Sequence, residues 1–318
     1  MCLRQTKWIC LLLLATMLPG LAACNDAPPP QATYHDPYEG MVRVPDGAGG
    51  IMWIKPYEAL PINAHEASSF RTEPDGRITY TGAAYDTQHG IDVSVYQGEV
   101  DWQAVADAGV DFAILRVGYR GWSEGGLFED EWFRANLAGA QEAGLDIGCY
   151  FFSQAVTEAE AREEARFLLD ILDGAALTLP IYFDWEEILD DPAARTRGLD
   201  GGLLTDCCLA FSAVIEDAGY TPGVYFYRRL GYQAYELDRL AALSFWVGAL
   251  GSSPDFYYAH SIWQYSMTGR VPGIDVDVDM NLRFTDWELP EITAPDTVDA
   301  SPGVHQIPTT EDVLAMPH

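Results

Sequence analysis

Two acidic residues, Asp184 and Glu186, end a short apolar run in the stretch Leu179–Glu187 (LPIYFDWEE). A run of this length, rich in aromatic residues and bounded by a proline, predicts a buried β-strand. Side chains alternate along a strand, so both carboxyl groups point the same way, with Cβ atoms roughly 6.6 Å apart. Such a pair can reach one bond, and proximity pushes the two pKa values apart. The bland alternative is a strand end at which both acids enter solvent.

The segments around this strand alternate between strand and helix patterns. Strands are predicted at Gly90–Tyr96, Phe112–Tyr119, Asp146–Phe152 and Gly223–Tyr227, and helices at Trp102–Ala108, Glu129–Ala143, Thr157–Leu172, Gly202–Ala218 and Tyr232–Ala242. This alternation requires a parallel sheet, and five units in series favour a closed barrel. Three more strands follow on links that are short for helical crossovers, namely Phe245–Ala249, Ile262–Tyr265 and Val276–Asn281. We therefore expect an α/β fold, an irregular (β/α)5(β)3 TIM-like barrel.

Acidic residues fall on three of the predicted barrel strands. Asp92 is on the first strand, the Asp184–Glu186 pair is on the fourth, and one face of the last strand carries Asp275, Asp277 and Asp279. Catalytic groups of βα barrels lie at the carboxyl ends of the strands, and the first and last strands of a closed barrel are neighbours. Carboxylates that converge in a cavity without basic partners are typical of a glycosidase. The alternative for the last strand is a solvated edge or a calcium site.

Other residue types that could do chemistry give little support to a different reaction. Cys149, Cys207 and Cys208 are an odd set with two adjacent members, which is not a disulfide framework. We expect buried thiols, the alternative being a bridge from Cys149 to one of the pair. The six histidines are scattered without metal-ligand spacing, so we expect neither a metal nor a cofactor.

The first 24 residues predict export from the cytoplasm. Arg4 and Lys7 precede the apolar stretch Trp8–Leu18, a secretory signal too short to span a membrane. The following Leu21-Ala22-Ala23-Cys24 resembles the lipobox of bacterial lipoproteins, which implies that Cys24 becomes the lipidated first residue. An ordinary signal cleaved at an Ala-x-Ala-like site is the alternative. We expect an extracytoplasmic lipoprotein of the bacterial cell envelope, anchored to the membrane by its N-terminal lipid.

The charge of the chain limits its partners. The formal net charge is −30 at pH 7, and Lys55 is the single lysine that follows the signal. Such an excess of acid argues against nucleic acid and anionic lipid headgroups as partners, and it fits a neutral substrate such as a glycan. We expect no nucleic-acid partner and a monomeric chain.

These patterns divide the chain into four segments. They are a lipoprotein signal peptide at 1–23, a spacer and small N-terminal extension at 24–87, the catalytic barrel at 88–285 and an acidic Pro/Thr-rich tail at 286–318. Within the extension we predict short strands at Met41–Val44, Ile51–Ile54 and Arg77–Tyr80. The last two are expected on either side of the turn region Pro74-Asp75-Gly76.

Four groups of residues, taken in order, carry a more specific signal. They are Gly90-Ile91-Asp92-Val93-Ser94 with Gln97-Gly98 and Asp101-Trp102; Gly148–Phe152; Phe183–Glu186; and Trp263-Gln264-Tyr265 with Gly273-Ile274 and Val278–Asn281. Together they resemble the motifs of the glycoside hydrolase family 25 muramidases, or lysozymes. The resemblance covers roughly Gly90–Phe284, and it implies the same irregular barrel of five βα units and three strands.

The resemblance also implies a reaction and a set of site residues. The family cleaves the β-1,4 bond between N-acetylmuramic acid and N-acetylglucosamine in peptidoglycan. Carried over by position, Glu186 is the general acid/base, and Asp184 is either the nucleophile or the group that orients the N-acetyl group of the substrate. Asp92 and Asp279 complete the acidic cluster. Four aromatic residues near strand ends are candidates for stacking on sugars, or for ordinary core packing: Tyr119, Phe152, Tyr227 and Trp263.

Two rival functions remain open. A family 18 chitinase-like hydrolase of N-acetylglucosamine polymers also ends its fourth strand in Asp-x-Glu. That motif has further aspartates where this chain has Leu179 and Tyr182, which argues against it. The other rival is a glycan-binding lipoprotein that does not turn over its ligand. All four carboxylates that match the family are present, which favours an enzyme.

Overall fold

The computed structural model describes residues 36–285. Its compact unit begins at Gly40, and the four residues before it form a turn in which the Glu39 N–H donates to the Asp36 carbonyl oxygen. The predicted signal peptide, the lipidation site Cys24 and the C-terminal tail lie outside the described residues. None of the helices between residues 36 and 285 is long and apolar enough to cross a membrane.

The described residues form thirteen strands and five α-helices. The strands are β1 (Val42–Pro45), β2 (Ile51–Ile54), β3 (Phe70–Thr72), β4 (Ile78–Tyr80), β5 (Thr87–Val93), β6 (Phe112–Arg120), β7 (Leu127–Glu129), β8 (Asp146–Ser153), β9 (Ile181–Trp185), β10 (Pro222–Tyr227), β11 (Ser244–Gly248), β12 (Ile262–Gly269) and β13 (Val278–Phe284). The helices are α1 (Trp102–Asp107), α2 (Phe133–Glu142), α3 (Glu158–Leu172), α4 (Gly201–Asp217) and α5 (Arg228–Gln233). Short 3-10 turns lie at Ala67–Ser69, Val95–Gln97 and Leu237–Leu240.

Eight of these strands close into a barrel. Seven run parallel in the order β5, β6, β8, β9, β10, β11 and β12, and β13 closes the ring by pairing antiparallel with both β12 and β5. A helix follows each of the first five barrel strands, and the last three have no α-helix between them. The predicted (β/α)5(β)3 barrel is confirmed.

The alternation of side chains along the barrel strands separates two apolar layers. One fills the barrel and the other lies between the strands and the helices. The inner layer consists of Phe112, Ile114, Leu179, Tyr182, Tyr225, Trp246 and Ile262. Cys149, Cys207 and Cys208 belong to the outer layer, where they are buried and free, as the expectation of buried thiols predicted. A polar side chain on a barrel strand can reach the site only from a position that faces the inside of the barrel.

Local sequence explains where the helices begin. Helix α3 begins after Thr157, whose side chain accepts the N–H of Glu160, and two acids occupy its first turn. Helix α2 begins four residues later than predicted. Leu127–Glu129 pairs instead with β6 as the short strand β7, and the Asp130 carbonyl accepts the N–H of Phe133.

The N-terminal extension consists of two hairpins, and their pairing differs from the prediction. Strand β2 pairs with β1, while β3 pairs with β4 across the turn at Pro74–Gly76. The prediction missed β3 because Phe70-Arg71-Thr72 has a single apolar residue, whereas Ile78-Thr79-Tyr80 in β4 alternates between apolar and polar residues. The extension joins the barrel through an isolated bridge between Ile62 and Tyr258. From Gly40 onward it belongs to the same compact unit as the barrel.

Candidate active site

The four predicted carboxylates meet at one end of the barrel. Asp92, Asp184, Glu186 and Asp279 all line a cavity of about 460 Å³ at the carboxyl ends of the parallel strands. Asp279 is near the start of β13, but that strand runs in the opposite direction, so its start lies at the same rim. The pairing of β13 with β5 places Asp279 directly beside Asp92.

The other two aspartates of the predicted last strand lie outside the cluster. Asp275 and Asp277 precede β13, which begins at Val278, and both are exposed. Asp277 pairs with Arg270 at 2.8 Å. Among residues 36–285 no group of His, Cys, Asp and Glu is arranged to hold a metal ion. The strand was predicted to begin two residues too early, at Val276, because the alternating aspartates imitate strand periodicity in a bend.

Two amide side chains hold Asp92 in place. Gln264 Nε2 donates to Asp92 Oδ2 at 2.9 Å and to Asp279 Oδ2 at 3.2 Å, while its Oε1 accepts the hydroxyl of Tyr225 at 2.7 Å. Asn281 Nδ2 donates to Asp92 Oδ2 at 2.8 Å, and its Oδ1 accepts the indole N–H of Trp246 at 2.8 Å. An indole N–H can only donate, so it fixes the orientation of the Asn281 amide. All four supporting groups are buried and leave Asp92 little freedom to move.

Asp92 and Asp279 lie within hydrogen-bonding reach of each other and titrate at different pH values. Burial raises the pKa of Asp92 to about 6, although the donors from Asn281 and Gln264 oppose that rise. Burial together with the charge of Asp92 raises the pKa of Asp279 to about 8. Asp279 therefore holds a proton at neutral pH, where Asp92 is largely ionised.

The Asp184–Glu186 pair also occupies surroundings that disfavour charge. Burial and the charge of Asp92 raise the pKa of Glu186 to about 7. Burial and the charges of Glu186 and Asp92 raise the pKa of Asp184 well above its usual value, while Arg116 opposes that rise. Asp184 Oδ1 is buried and has no hydrogen-bond partner in the described part of the chain. At neutral pH this pair thus carries a proton that can be transferred.

Gln154 fixes the backbone on which Glu186 stands. Glu186 follows the last residue of β9, so the sheet no longer holds it. The side chain of Gln154 donates to the Glu186 carbonyl oxygen at 3.0 Å and accepts the hydroxyl of Thr196 at 2.7 Å. Gln154 and Thr196 are both buried, and they hold the start of the loop after β9 against the end of β8.

Arg116 is a basic residue that the sequence analysis missed. It lines the cavity, and its Nε donates to Asp130 Oδ2 at 2.7 Å. Its guanidinium carbon lies 5.3 Å from the ring centroid of Tyr96 and 5.4 Å from that of Tyr119. The expectation of carboxylates without basic partners is therefore wrong. A charged residue inside the apolar run FAILRVGY, two positions after Ile114, was the available signal, since that spacing points it into the barrel.

The four predicted aromatic residues have different positions. Tyr119 and Phe152 line the cavity. Tyr227 is level with Glu186 but lines a second cavity, and its hydroxyl donates to the Met267 sulfur at 3.7 Å. Trp263 has no exposed surface and donates its indole N–H to the Ala249 carbonyl at 2.7 Å. Its neighbours Ile262 and Gln264 point into the barrel, so Trp263 points outward, and the prediction that it stacks on a sugar is wrong.

Two aromatic residues at the cavity were not predicted. Tyr96 lies in the 3-10 turn after β5 with 77% of its surface exposed, and Trp122 follows β6 with 45% exposed. Trp122 is held by an N–H···O bond of 3.1 Å to Asp191. Both are large exposed rings on loops, which is the usual position of residues that contact ligand.

The fold and the site together define a class of protein. A closed βα barrel, with clustered carboxylates at the carboxyl ends of its strands and an acid that retains a proton near neutrality, is a glycoside hydrolase. Residues 91–274, more than half of the chain, match the family described as glycosyl hydrolases family 25. The chain belongs to that family.

Several known proteins are similar to this chain. Lysozyme M1 of Streptomyces globisporus is 31% identical over 203 residues, which cover 60% of this chain and 66% of the relative. The autolytic lysozyme of Clostridium acetobutylicum is 26% identical over 193 residues, covering 60% of this chain and 54% of the relative. The chain thus spans between about half and two thirds of the length of these relatives.

Solved structures share the fold. The modular autolysin LytC of Streptococcus pneumoniae superposes with a TM-score of 0.55 at 23% identity, covering 77% of this chain and 57% of LytC. A family 25 glycosyl hydrolase of Bacillus anthracis gives a TM-score of 0.53 at 20% identity, covering 64% of this chain and 91% of that protein.

Proposed function

We propose that this chain cleaves the β-1,4 bond between N-acetylmuramic acid and N-acetylglucosamine in peptidoglycan. The observation that carries the proposal is the position of Glu186, at the end of β9 and beside Asp184, with a pKa that burial raises to about 7. The similarity of the chain to Lysozyme M1 and to the autolytic lysozyme supports this choice of substrate.

In the proposed reaction Glu186 gives its proton to the oxygen of the scissile bond. Attack by Asp184 on the anomeric carbon requires its ionised form, against which its surroundings act. Alternatively, Asp184 orients the N-acetyl group of the substrate, which then attacks that carbon itself. Glu186, now ionised, takes a proton from the water that releases the product. Both routes leave Glu186 ready for the next turnover.

The remaining residues of the cavity bind the sugar and adjust the pKa of Glu186. The ionised Asp92 raises the pKa of Glu186, and the proton on Asp279 makes it a hydrogen-bond donor toward Asp92 or a sugar hydroxyl. Tyr119 and Phe152 offer ring surface inside the cavity, and Tyr96 and Trp122 offer it at the loops. Rings of this kind stack on the apolar faces of sugars.

The test compares Glu186→Gln with Glu187→Gln on purified peptidoglycan. We expect Glu186→Gln to lose roughly 10²–10⁴-fold in the rate of solubilisation, because it cannot transfer a proton. Glu187 is the neighbouring acid outside the cavity lining, so Glu187→Gln should stay close to the unsubstituted chain. Full activity of Glu186→Gln would contradict the assignment.

The new reducing ends distinguish the rival functions. Muramic acid ends support the proposed bond, whereas glucosamine ends indicate cleavage on the other side of the disaccharide, as by a chitinase-like hydrolase. Binding without soluble products indicates a glycan-binding protein. Glycans of N-acetylglucosamine alone serve as the second substrate in this assay.

We also propose that the chain is a monomeric lipoprotein of the bacterial cell envelope, anchored through Cys24. The basic, apolar and Leu-Ala-Ala-Cys segments of residues 1–24 support this proposal. The segment boundaries at 23, 87 and 285 are part of it. Cys24→Ala should move the protein from the membrane fraction to the soluble extracytoplasmic fraction. An unchanged distribution would argue for an ordinary cleaved signal or another form of retention.

A further inference from the structure

A second cavity opens on the same rim of the barrel. It measures about 280 Å³ and lies at the carboxyl ends of β10 and β11. Tyr225 is paired with Asp184 of β9, so Tyr227, two residues on, is level with Glu186. Tyr227 is in turn paired with Gly248 of β11. Because paired strands lie about 4.8 Å apart, this cavity begins one strand away from the proton donor.

The outer wall of this cavity is the turn between β1 and β2. Asp46 Oδ1 accepts the N–H groups of Ala48 and Gly50, both at 2.8 Å, which closes the turn. Gly47 has φ +86°, and a Cβ built on it would lie 3.5 Å from Arg228 Nε. The turn precedes the family match at 91–274, so the cavity combines the barrel with a segment outside that match.

Two adjacent arginines, Arg228 and Arg229, line the cavity together with the carboxylate of Asp46. Arg228 is 7% exposed and pairs with Asp255, yet its buried Nε has no hydrogen-bond partner among residues 36–285. Arg229 Nε donates to Gln233 Oε1 at 2.8 Å, and in the same part of the chain its guanidinium makes no ion pair within 4.0 Å. The N–H of Ala48 in its own turn is the main cause of the lowered pKa of Asp46, and Arg229 lowers it further, so this carboxylate is already bonded within the turn.

We propose that this second cavity binds a free carboxylate of the peptide stem that muramic acid carries in peptidoglycan. This inference rests on the proposed function, since it describes the part of the same substrate that lies beside the cleaved bond. The sugars of the strand are neutral, and the stem peptides carry carboxylates and alanine methyl groups. A guanidinium group donates two parallel N–H···O bonds to a carboxylate, and the exposed side chain of Leu250 gives the methyl groups an apolar surface.

The test uses the full chain and two forms of one peptidoglycan, one with free stem carboxylates and one with these groups converted to amides. Arg229→Gln should lower kcat/KM about tenfold on the free form, mainly through KM, and should leave the amidated form within about twofold. Arg166→Gln is the matched control, because Arg166 is exposed on α3 and likewise makes no ion pair in the described residues. It should change neither rate.

The outcomes separate this inference from the proposed function. If the unsubstituted chain releases muramic acid ends but Arg229→Gln affects both forms equally, or neither, the stem site is wrong and the reaction stands. If no muramic acid ends appear, the reaction is wrong, and the stem site is then tested by titrating Glu186→Gln with a soluble stem-bearing disaccharide. Binding that weakens about tenfold on adding Arg229→Gln upholds the site, and binding that does not weaken overturns it.

Discussion

Among residues 36–285 no basic side chain forms an ion pair with Glu186, and this sets the pH range in which it can donate a proton. Its pKa is about 7, raised by burial first and by the charge of Asp92 second. The donor is competent when protonated, so kcat/KM should fall above about pH 7 and approach a tenfold loss per pH unit. A pH profile on a soluble glycan measures this. A rate that stays constant to about pH 9 would exclude Glu186 as the donor.

Asp92 offers a way to move that pH dependence. Asp92→Asn removes the negative charge that raises the pKa of Glu186, so the alkaline fall in kcat/KM should move to lower pH. The residual rate will be smaller, since Asp92 is part of the site, but the position of the fall does not depend on the size of the rate. A fall at the unchanged pH would mean that Asp92 acts only in binding.

The buried carboxyl group of Asp184 lowers the stability of the fold at neutral pH. Its folded-state pKa is raised well above the ordinary value, by burial and by the charges of Glu186 and Asp92. A raised pKa contributes stability that is present below the unfolded pKa near 4 and is lost as the pH rises. Asp184→Asn removes the carboxyl group that must take up a proton on folding, so it should stabilise the fold at pH 7 by about 1 kcal/mol, or roughly 2–4 °C in melting temperature.

Two comparisons check the origin of this gain. The difference between Asp184→Asn and the unsubstituted chain should shrink toward zero near pH 4, where both side chains are uncharged. Asp190→Asn, at an exposed position in the following loop, should shift the melting temperature at neither pH. A destabilised Asp184→Asn at pH 7 would show that the carboxylate is better accommodated than its surroundings indicate.

At the scale of strands and helices, the sequence predicts the existence of each element well. It predicts less well which side chains of an element face the inside of the barrel. The strand at Asp146 and the helix capped by Thr157 were found within one or two residues, because their apolar periods are regular. Trp263 was placed in the site because it stands near a strand end. Its position on the outer face depends on Ile262 and Gln264 pointing inward, and one aromatic strand pattern does not reveal which parity is inner.

Strand direction limited the prediction in the same way. Asp279 was expected at the rim because strands one and eight are neighbours, and this holds. That β13 runs antiparallel follows from the short link after β12, which returns the chain on the same side of the barrel. Tyr96 was missed for a different reason: it becomes a site residue only when the turn after β5 meets the neighbouring strands in three dimensions. Arg116 was missed although its charge inside the apolar run of β6, in register with Ile114, was visible in the sequence.

The packing of the N-terminal extension against β13 leads us to a separate prediction, on how the stability of the fold depends on pH. The His65 ring stacks on Phe284 with centroids 3.9 Å apart, and His260 lies 5.9 Å from His65. Burial lowers the pKa of His65 to about 3 and of His260 to about 4. A lowered histidine pKa means that both must be neutral in the fold, so their contribution to stability is full above about pH 6.5 and falls at lower pH.

His65→Phe isolates this effect from the carboxylates, whose raised pKa values act in the opposite direction. Phenylalanine keeps a ring for stacking and cannot be protonated. The melting temperature of the His65→Phe variant, relative to that of the unsubstituted chain, should therefore rise steadily as the pH is lowered from about 7.5 to about 5. A difference that does not depend on pH would mean that His65 is accessible enough to be protonated without loss of packing.

For the whole molecule the dominant property is charge. The chain has 48 acidic and 18 basic residues. Among residues 36–285, eleven basic side chains are held in ion pairs, from Arg71 to Arg283. Positive charge able to meet a substrate is therefore local, as at Arg229, against a background that repels anions. The proposed substrate fits this division, since its sugars are neutral and its charges lie on side branches.

This background charge predicts how the rate of wall cleavage responds to salt. Walls that retain anionic polymers should repel the chain at low ionic strength. Salt shortens the range of that repulsion, to a screening length of about 10 Å at 0.1 M. The rate of solubilisation should rise severalfold from about 10 mM to about 150 mM NaCl on such walls. On walls stripped of anionic polymers it should stay level or fall slightly, because only the attraction between stem carboxylates and Arg229 is left to be screened. Falling rates on both substrates would mean that local attraction outweighs the net charge of the molecule.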